Sequence, residues 1–177
     1  MVYLISKIGD LMIYIICSLL FLLFIFGTFI FFKVNKLKDI KKSLDIISSN
    51  IEEFLDAKLN IVTRLLSDID DEKIKKEFSY SDDFTLHEKE DSLFNISWNI
   101  NKYIKDKKLD KMKKDVSELN VLEENLDGLK DFYNANVLNY NEIFLKSYLN
   151  KIFRFFKFGD YRSFKIRKLE EYEIFKN

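Results

Sequence analysis

The stretch LMIYIICSLLFLLFIFGTFIFF, residues 11–32, decides the architecture of this chain of 177 residues. It contains no charged residue and no proline. At about 1.5 Å per residue, a helix of this length reaches about 33 Å, which is enough to cross a hydrocarbon core of about 30 Å. Only a helix or a closed barrel satisfies its backbone hydrogen bonds in lipid, and one stretch cannot form a barrel. The stretch is therefore predicted to be a single transmembrane helix.

A signal peptide and a buried globular helix both fit this stretch less well. A cleaved signal peptide has a shorter apolar core, a basic start and small residues before its cleavage site, whereas here Lys7 is offset by Asp10 and residues 31–34 read FFKV. A helix buried in a globular protein normally keeps one polar face, which this stretch lacks. We therefore expect a short N-terminal tail at residues 1–10, the transmembrane helix at 11–32 and a polar region after it.

The charges that flank the stretch predict its orientation. Five lysines follow it closely, and Asp39 is the only acid among them. These lysines are Lys33, Lys36, Lys38, Lys41 and Lys42. Basic residues next to a span tend to remain in the cytoplasm, where they also lie over anionic lipid headgroups. We expect a protein of the inner membrane with its N-terminus outside, its large domain in the cytoplasm and these five lysines at the membrane surface.

The composition predicts an all-α protein. Proline is absent and there are only four glycines, so long periodic stretches run without helix breakers. Acidic and basic residues balance at 29 each, which leaves no overall basic field for nucleic acid. The single cysteine, Cys17, lies inside the predicted span, so neither a disulfide nor a cysteine-based metal site is possible within one chain.

Behind the span, apolar residues recur at alternating steps of three and four, the pattern of a helix with one buried face. The series begins at Leu37 and reaches Leu65, with an interruption at Lys58. It predicts a helix that continues from the span to about Leu66 or Ile69. The apolar stripe widens in its second half, which suits packing against two neighbouring helices rather than one.

Two further long helices are predicted. One covers about residues 86–105, with Asp83 or Thr85 as its N-cap, and a helical turn or two is expected around residues 73–78 before it. The other is expected to be the longest, because its apolar positions recur from Met112 to Phe144. The predicted fold class is therefore all-α, with a single N-terminal transmembrane helix followed by an antiparallel bundle of long helices.

The bundle domain is expected to occupy residues 33–158, with Gly159 marking a helix end and a basic, aromatic segment at 159–177. Between residues 146 and 168 there are eight basic residues and one acid. The basic residues are Lys146, Lys151, Arg154, Lys157, Arg162, Lys165, Arg167 and Lys168. Such a segment either lies in a membrane interface or ends a core helix with a solvated basic face. No nucleic-acid recognition motif accompanies the charge.

The last long helix contains the pattern Y-N-x-x-V-x-x-Y-N, formed by Tyr133, Asn134, Val137, Tyr140 and Asn141. This pattern resembles that of the LemA family of single-span bacterial membrane proteins. Residues 118–158 carry the resemblance best, and His87-Glu88 is similar to the family's His-Glu helix start. The family prolines are missing here, and Asn125 stands where the family has arginine. The resemblance implies a membrane-anchored helical bundle, and the family has no established enzymatic activity.

The matched residues allow two interpretations. Tyr133 and Tyr140 recur every two turns of a helix, with Asn134 and Asn141 beside them, so each pair forms a stripe. As polar core groups they would fix the register of the bundle. Alternatively, they would line a polar groove that binds a partner peptide.

Patterns for metal binding and catalysis are weak. His87 is the only histidine, and a metalloprotease motif would need a second histidine at Asp91, so a capping or exposed histidine is expected. The acidic stretch at residues 68–72 lacks the central glycine and the last glutamate of a calcium loop, which favours a solvated helix end. No glycine-rich phosphate loop is present. We therefore expect no cofactor, no metal site and no enzymatic activity.

The sequence favours a non-catalytic scaffold or adaptor that presents a helical bundle at the inner face of the membrane. Its expected partners are the lipid bilayer and either another protein or a second copy of the chain, but not nucleic acid. The first alternative is a homo-oligomeric, membrane-anchored coiled coil, and an enzyme is the second.

Overall fold

A computed structural model of the chain describes residues 2–107, 109–145 and 149–165. Within these ranges the chain is helical and no strand occurs, as the composition predicts. The helices are α1 (Val2–Asp68), α2 (Glu72–Glu77), α3 (Leu86–Lys107), α4 (Lys113–Leu145) and α5 (Asn150–Phe155), with a 3-10 turn at Asp110–Met112. Lys146, Arg167 and Lys168 of the predicted basic segment lie outside the described residues, as does the rest of 166–177.

Helix α1 begins within the predicted N-terminal tail and is long and apolar enough to span a membrane. Its large apolar side chains are widely exposed, with Tyr14 at 74% and Phe24 at 72%. A continuous apolar surface of this size is typical of contact with lipid or another protein rather than with water. The predicted span therefore coincides with a helical stretch whose large apolar side chains, where they are described, are mostly exposed.

The second half of α1 buries one face. Leu37, Leu44, Ile51 and Leu65 are fully buried, at the steps of three and four that the sequence predicts. Lys58, which interrupts the apolar series, is also completely buried. We call these buried positions at steps of three and four the seam of a helix. The interruption at Lys58 is therefore a charged residue within the seam and not a break in it.

The two helices that follow begin at polar caps. Asp71 is the N-cap of α2, and its carboxylate accepts a hydrogen bond from the backbone N–H of Lys73 at 2.9 Å. Before α3, the Thr85 hydroxyl accepts from the Glu88 N–H, while the Glu88 carboxylate accepts from the Thr85 N–H at 2.8 Å. This reciprocal arrangement is a capping box, so Thr85 rather than Asp83 is the N-cap. The acidic stretch at residues 68–72 thus ends α1 and starts α2.

Helix α4 has 33 residues, half the length of α1 with 67, so the prediction that the last long helix is the longest was wrong. Its seam also differs from the predicted one. Leu122 and Leu129 are only half-buried, whereas Glu123 and Lys130 are buried in their place. The difference of one position rotates the buried face towards the two charged residues.

Helix α5 ends at Phe155, four residues before the predicted position at Gly159. Lys157 takes the left-handed conformation that a helix end requires, with φ of 60°. The Phe158 N–H bonds to the Phe153 carbonyl at 3.3 Å, and the Lys157 N–H bonds to the Arg154 carbonyl at 3.0 Å. These two bonds form a Schellman motif. A lysine therefore occupies the position that usually favours glycine.

The chain forms two compact units. One contains residues 1–41 and 140–160, and we call it the span unit. The other contains residues 42–139 together with the described residues 161–165, and we call it the helical unit. The predicted domain boundaries at residues 32 and 158 remain predictions.

Candidate functional site

The first tyrosine–asparagine pair of the family-like motif holds another part of the helical unit in place. The Asn134 side-chain amide donates to the Phe164 carbonyl at 2.9 Å, and its oxygen accepts from the Phe164 N–H at 2.7 Å. Asn134 therefore satisfies both backbone groups of Phe164, as a neighbouring strand would. The residues after α5 are fastened to α4 at this point.

Aromatic rings complete this attachment. The Phe164 ring is stacked on the His87 ring, with centroids 4.1 Å apart and an angle of 8°. The Tyr133 ring meets Phe164 edge to face at 5.1 Å. Burial raises the pKa of the Tyr133 hydroxyl, although a hydrogen bond with the Ser48 side chain opposes this change. These contacts make His87 and Tyr133 packing residues in the structure.

Two of the three remaining motif residues are buried as well. Val137 is 1% exposed in the helical unit. In the span unit, Tyr140 is fully buried, and its ring lies 5.8 Å from that of Phe144. Burial raises the pKa of Tyr140, and a hydrogen bond with the Gly159 backbone opposes that change. Asn141 is half-buried. Of the five motif residues, Tyr133, Val137 and Tyr140 are therefore buried, and Asn134 and Asn141 are half-buried.

The core of the helical unit contains a group of charged side chains that was not predicted from the sequence. Lys58 of α1 pairs with Glu123 of α4, and their side chains are only 1% and 6% exposed. The ammonium also lies 5.9 Å from the centre of the Phe94 ring. Burial lowers the pKa of Lys58, and the Glu123 and Glu90 carboxylates partly offset this effect. The pair joins α1 to α4 through charges that water does not reach.

A second buried pair joins α3 to α4. The Lys130 ammonium lies 2.9 Å from the Glu90 carboxylate, and their side chains are 1% and 2% exposed. Asp127, one turn before Lys130, contributes a carboxylate oxygen at 2.6 Å and remains 25% exposed. Burial alone would lower the pKa of Lys130, but Glu90 and Asp127 outweigh it, and the pKa is raised. Lys130 therefore stays charged across the ordinary pH range.

Together the two pairs contribute two positive and two negative charges to the seams of three helices. We call Lys58, Glu90, Glu123 and Lys130 the buried charge group. Replacing such groups by apolar residues often does not reduce stability, so their benefit lies elsewhere. A helix shifted by one position would bury a charge without its partner, and the group therefore favours one register. The available signal in the sequence was the placement of opposite charges at seam positions of different helices.

The five lysines predicted at the membrane surface follow the exposed part of α1. Lys36, Lys38, Lys41 and Lys42 are exposed, and Lys33 is half-buried. The Lys33 ammonium lies 5.6 Å from the centre of the Phe29 ring, a cation–π distance. The lysines are therefore accessible to anionic headgroups.

An open groove of about 370 Å³ lies beside α3. Three acids line it, but each already accepts a hydrogen bond or ion pair from the chain itself: Glu77, Glu88 and Asp91. Among the residues whose side chains are described, no three His, Cys, Asp or Glu side chains are placed to hold a metal ion together. The groove supplies no nucleophile paired with a base.

Within the helical unit, the motif residues Tyr133 and Asn134 and the buried charge group all make packing contacts or ion pairs between segments. Comparison of the chain with protein-family models, with curated proteins and with solved structures gave no match.

Proposed function

We propose that the chain is a single-span membrane protein, a non-catalytic scaffold or adaptor that presents its helical unit at the inner face of the cytoplasmic membrane. The observation that carries this proposal is the continuity of α1. The exposed apolar stretch and the buried seam belong to one helix, without a linker between them. A flexible linker would let the polar part move away from the bilayer, whereas a continuous helix limits its reach.

Contacts within the helical unit support the antiparallel part of the proposed bundle. Going along α1, Ser48, Lys58 and Arg64 meet residues of α4 in falling order. Those α4 residues are Tyr133, Glu123 and Asp115. Between α1 and α3 the order rises, because Glu52 pairs with Lys89 and Lys58 lies over Phe94. The bundle that we propose therefore has α4 antiparallel to α1, while α3 runs in the same direction as α1.

We also propose that the chain is a divergent relative of the LemA family. In support, the three apolar or aromatic positions of the motif, Tyr133, Val137 and Tyr140, are at most 4% exposed. His87, at the position similar to the family's helix start, contacts the segment that Asn134 fastens. These contacts favour a register-fixing role for the motif over a peptide-binding groove.

The homo-oligomeric coiled coil is a weaker alternative. It requires the apolar series that starts at Leu37 to face a second copy, yet Leu37, Leu44 and Ile51 are completely buried within the chain. An adaptor needs an exposed contact surface instead. On α4, Phe132 is 59% exposed and Leu138 is 72% exposed, which makes this face available to another protein.

A catalytic role is the remaining alternative. The residues that would have to act in it, Tyr133 and Asn134, are occupied by Ser48 and by the Phe164 backbone. A substitution of either residue that abolished function while leaving stability and partner binding intact would revive the enzyme hypothesis.

Thiol labelling in intact bacterial cells tests the proposed orientation. In a Cys17→Ser chain, a cysteine is placed at the exposed Asp82 of the helical unit. A second chain carries its cysteine at Ser6, on the other side of the span in the sequence. We expect a membrane-impermeant maleimide to label the first chain only after permeabilisation and the second in intact cells. The opposite pattern would overturn the orientation, and labelling of both chains in intact cells would overturn the span.

Photo-cross-linking tests the adaptor role. A photoreactive amino acid at Phe132 is compared with one at Glu124, which is exposed on α4 but polar. The adaptor hypothesis predicts an adduct with a different protein at Phe132 and not at Glu124. An adduct between two copies of the chain would instead favour the homo-oligomer.

A further inference from the structure

Four phenylalanines in and after α5 differ sharply in exposure. Phe153 is completely buried and Phe158 is 7% exposed, whereas Phe155 and Phe156 are 83% and 48% exposed. Phe153 and Phe158 meet edge to face at 6.5 Å and are also joined by the Schellman hydrogen bond. The exposed pair is therefore displayed by an anchored turn and does not belong to a loose end.

The side chains around the exposed pair are basic. Lys151, Arg154 and Lys157 are all exposed, and the first acid that follows them is Asp160. Water-exposed phenylalanines next to arginine and lysine are typical of segments that lie in a membrane interface. There the rings enter the boundary of the acyl chains while the cations meet anionic headgroups.

The span unit places this turn near the end of the transmembrane stretch. Of α1 in this unit, the described side chains buried behind the apolar stretch are Val34, Leu37 and Ile40. At about 1.5 Å per residue, these positions begin about 3 Å beyond Phe32 and end about 12 Å beyond it. The headgroup region is about 5–7 Å thick on each side of the hydrocarbon core. Val34 falls within this depth, Leu37 at about 7.5 Å lies at its outer edge, and Ile40 lies beyond it. The described residues among 140–160, which form one compact unit with this part of α1, are therefore placed in the outer headgroup region or just beyond it.

We propose that Phe155 and Phe156, with Arg154 and Lys157, form a second membrane contact that inserts into the anionic headgroup layer beside the span. This contact rests on the proposed transmembrane helix and adds to it a site that the flanking lysines do not provide. A single span leaves the helix free to tilt in any direction relative to its own side chains. A second insertion point beside the span fixes which side of the span unit lies against the bilayer.

Tryptophan fluorescence in vesicles tests this contact. The full chain is reconstituted into vesicles of phosphatidylcholine with about one-third phosphatidylglycerol, an anionic lipid. Two sets of vesicles carry a spin-label quencher either on the headgroup or on the acyl chain near it. A third set, used for position 24, carries the quencher at the end of the acyl chain, because this position lies about 12 Å below Phe32. Three variants are compared with the wild type, whose Trp98 in α3 supplies the background. They are Phe155→Trp, Phe24→Trp within the span, and Val121→Trp on the exposed face of α4.

The proposal predicts that the tryptophan at position 155 is quenched by both labels at least about twofold more strongly than the one at position 121. Both positions are exposed in the structure, so Val121→Trp is a matched control for random contact with lipid. Quenching at position 24 together with no quenching at position 155 would overturn the second contact and leave the span intact. Absence of quenching at position 24 would overturn the span, and with it the contact.

The basic residues provide an independent check. In an Arg154→Gln/Lys157→Gln chain that also carries Phe155→Trp, we expect quenching by the headgroup label to fall. Quenching should fall in the same way for Phe155→Trp with Arg154 and Lys157 unchanged when the vesicles contain phosphatidylcholine alone. No anionic headgroup then remains to attract these two residues. If a second copy of the chain covers the phenylalanines instead, the tryptophan at position 155 becomes protected from both lipid labels, and the proposal is wrong.

Discussion

Replacing Glu123 by glutamine will destabilise the helical unit more than replacing Glu90 by glutamine. In the first variant the Lys58 ammonium remains buried, with its side chain 1% exposed, but loses its carboxylate. Breaking a buried pair in this way costs about 3–5 kcal/mol. In the second variant Lys130 keeps the Asp127 carboxylate at 2.6 Å. The expected loss is then about 1–3 kcal/mol, that of one hydrogen bond to a charged group.

The pH dependence identifies the cause of the larger loss. Burial lowers the pKa of Lys58 from its ordinary value of 10.5, so the folded state binds this proton less well than the unfolded chain. The free energy of unfolding therefore increases as the pH rises from the lowered pKa towards 10.5. Glu123 opposes this lowering, and its removal enlarges the effect. The difference in the free energy of unfolding between the wild type and Glu123→Gln should accordingly become smaller as the pH approaches 10.5.

Urea unfolding of the full chain in detergent, followed by Trp98 fluorescence, measures these differences, because Trp98 belongs to α3 in the same unit. Glu124→Gln is the matched control, since Glu124 is the exposed neighbour of Glu123 and its replacement should change stability by less than about 0.5 kcal/mol. Equal losses in the Glu123 and Glu90 variants would refute the reasoning. So would a loss in Glu123→Gln that does not change with pH.

Four further predictions concern single residues that hold a segment in place or that begin or end a helix. Asn134→Ala removes both hydrogen bonds to the Phe164 backbone, and exchange of the Phe164 amide proton should become about tenfold faster. Lys157→Gly relieves a left-handed conformation that costs about 1–2 kcal/mol. Glycine also raises the entropy of the unfolded chain, which offsets part of this gain, so the free energy of unfolding should increase by about 0.5–1 kcal/mol. Thr85→Ala removes the N-cap of α3 and should lower stability by about 1 kcal/mol in urea. Hydrogen bonds from the Thr85 side chain and backbone lower the pKa of Glu88 from its ordinary value of 4.5. The stabilising effect of the Glu88 carboxylate should therefore disappear as the pH falls below 4.5 and through the lower pKa of the folded state.

Each of these predictions has a control. Asn136→Ala removes a bond within α4 and should leave exchange at Phe164 unchanged. Lys151→Gly places glycine inside α5 and should lower stability by about 1 kcal/mol, the opposite of Lys157→Gly. If both glycine variants are destabilised, the left-handed conformation at Lys157 is not the source of strain. A Glu88→Ala chain whose stability curve parallels the wild type in acid would contradict the capping role.

The fold was largely predictable where one physical pattern decides the structure. An uncharged run such as residues 11–32 permits little but a helix. The steps of three and four located the C-terminal ends of α1 and α3 to within two residues. The end of α5 was not predictable in this way. Gly159 is the usual kind of residue for a helix end, but the helix ends earlier, with Lys157 in the left-handed conformation and the Phe153 ring against that of Phe158.

The candidate site was predictable only in part. Asn134 was identified from its motif, but its partner Phe164 lies 30 residues later, across a turn that local patterns do not define. Lys58 and Glu123 look solvated in the sequence, since lysine and glutamate are rarely buried unless they are paired. Their pairing depends on how two distant helices face each other. Residue preferences that treat each position alone cannot supply that information.

The buried charge group also determines when its core can be completed during synthesis of the chain. Lys58 leaves the ribosome 65 residues ahead of Glu123, and Glu90 leaves it 40 residues ahead of Lys130. At about 5–20 residues per second, Lys58 waits about 3–13 s for its carboxylate. During that interval Glu90 of α3 is the only carboxylate of the buried charge group that can face Lys58, and it is also the partner of Lys130. Both pairs of the buried charge group can therefore form only after α4 has emerged, so this core is completed at that stage.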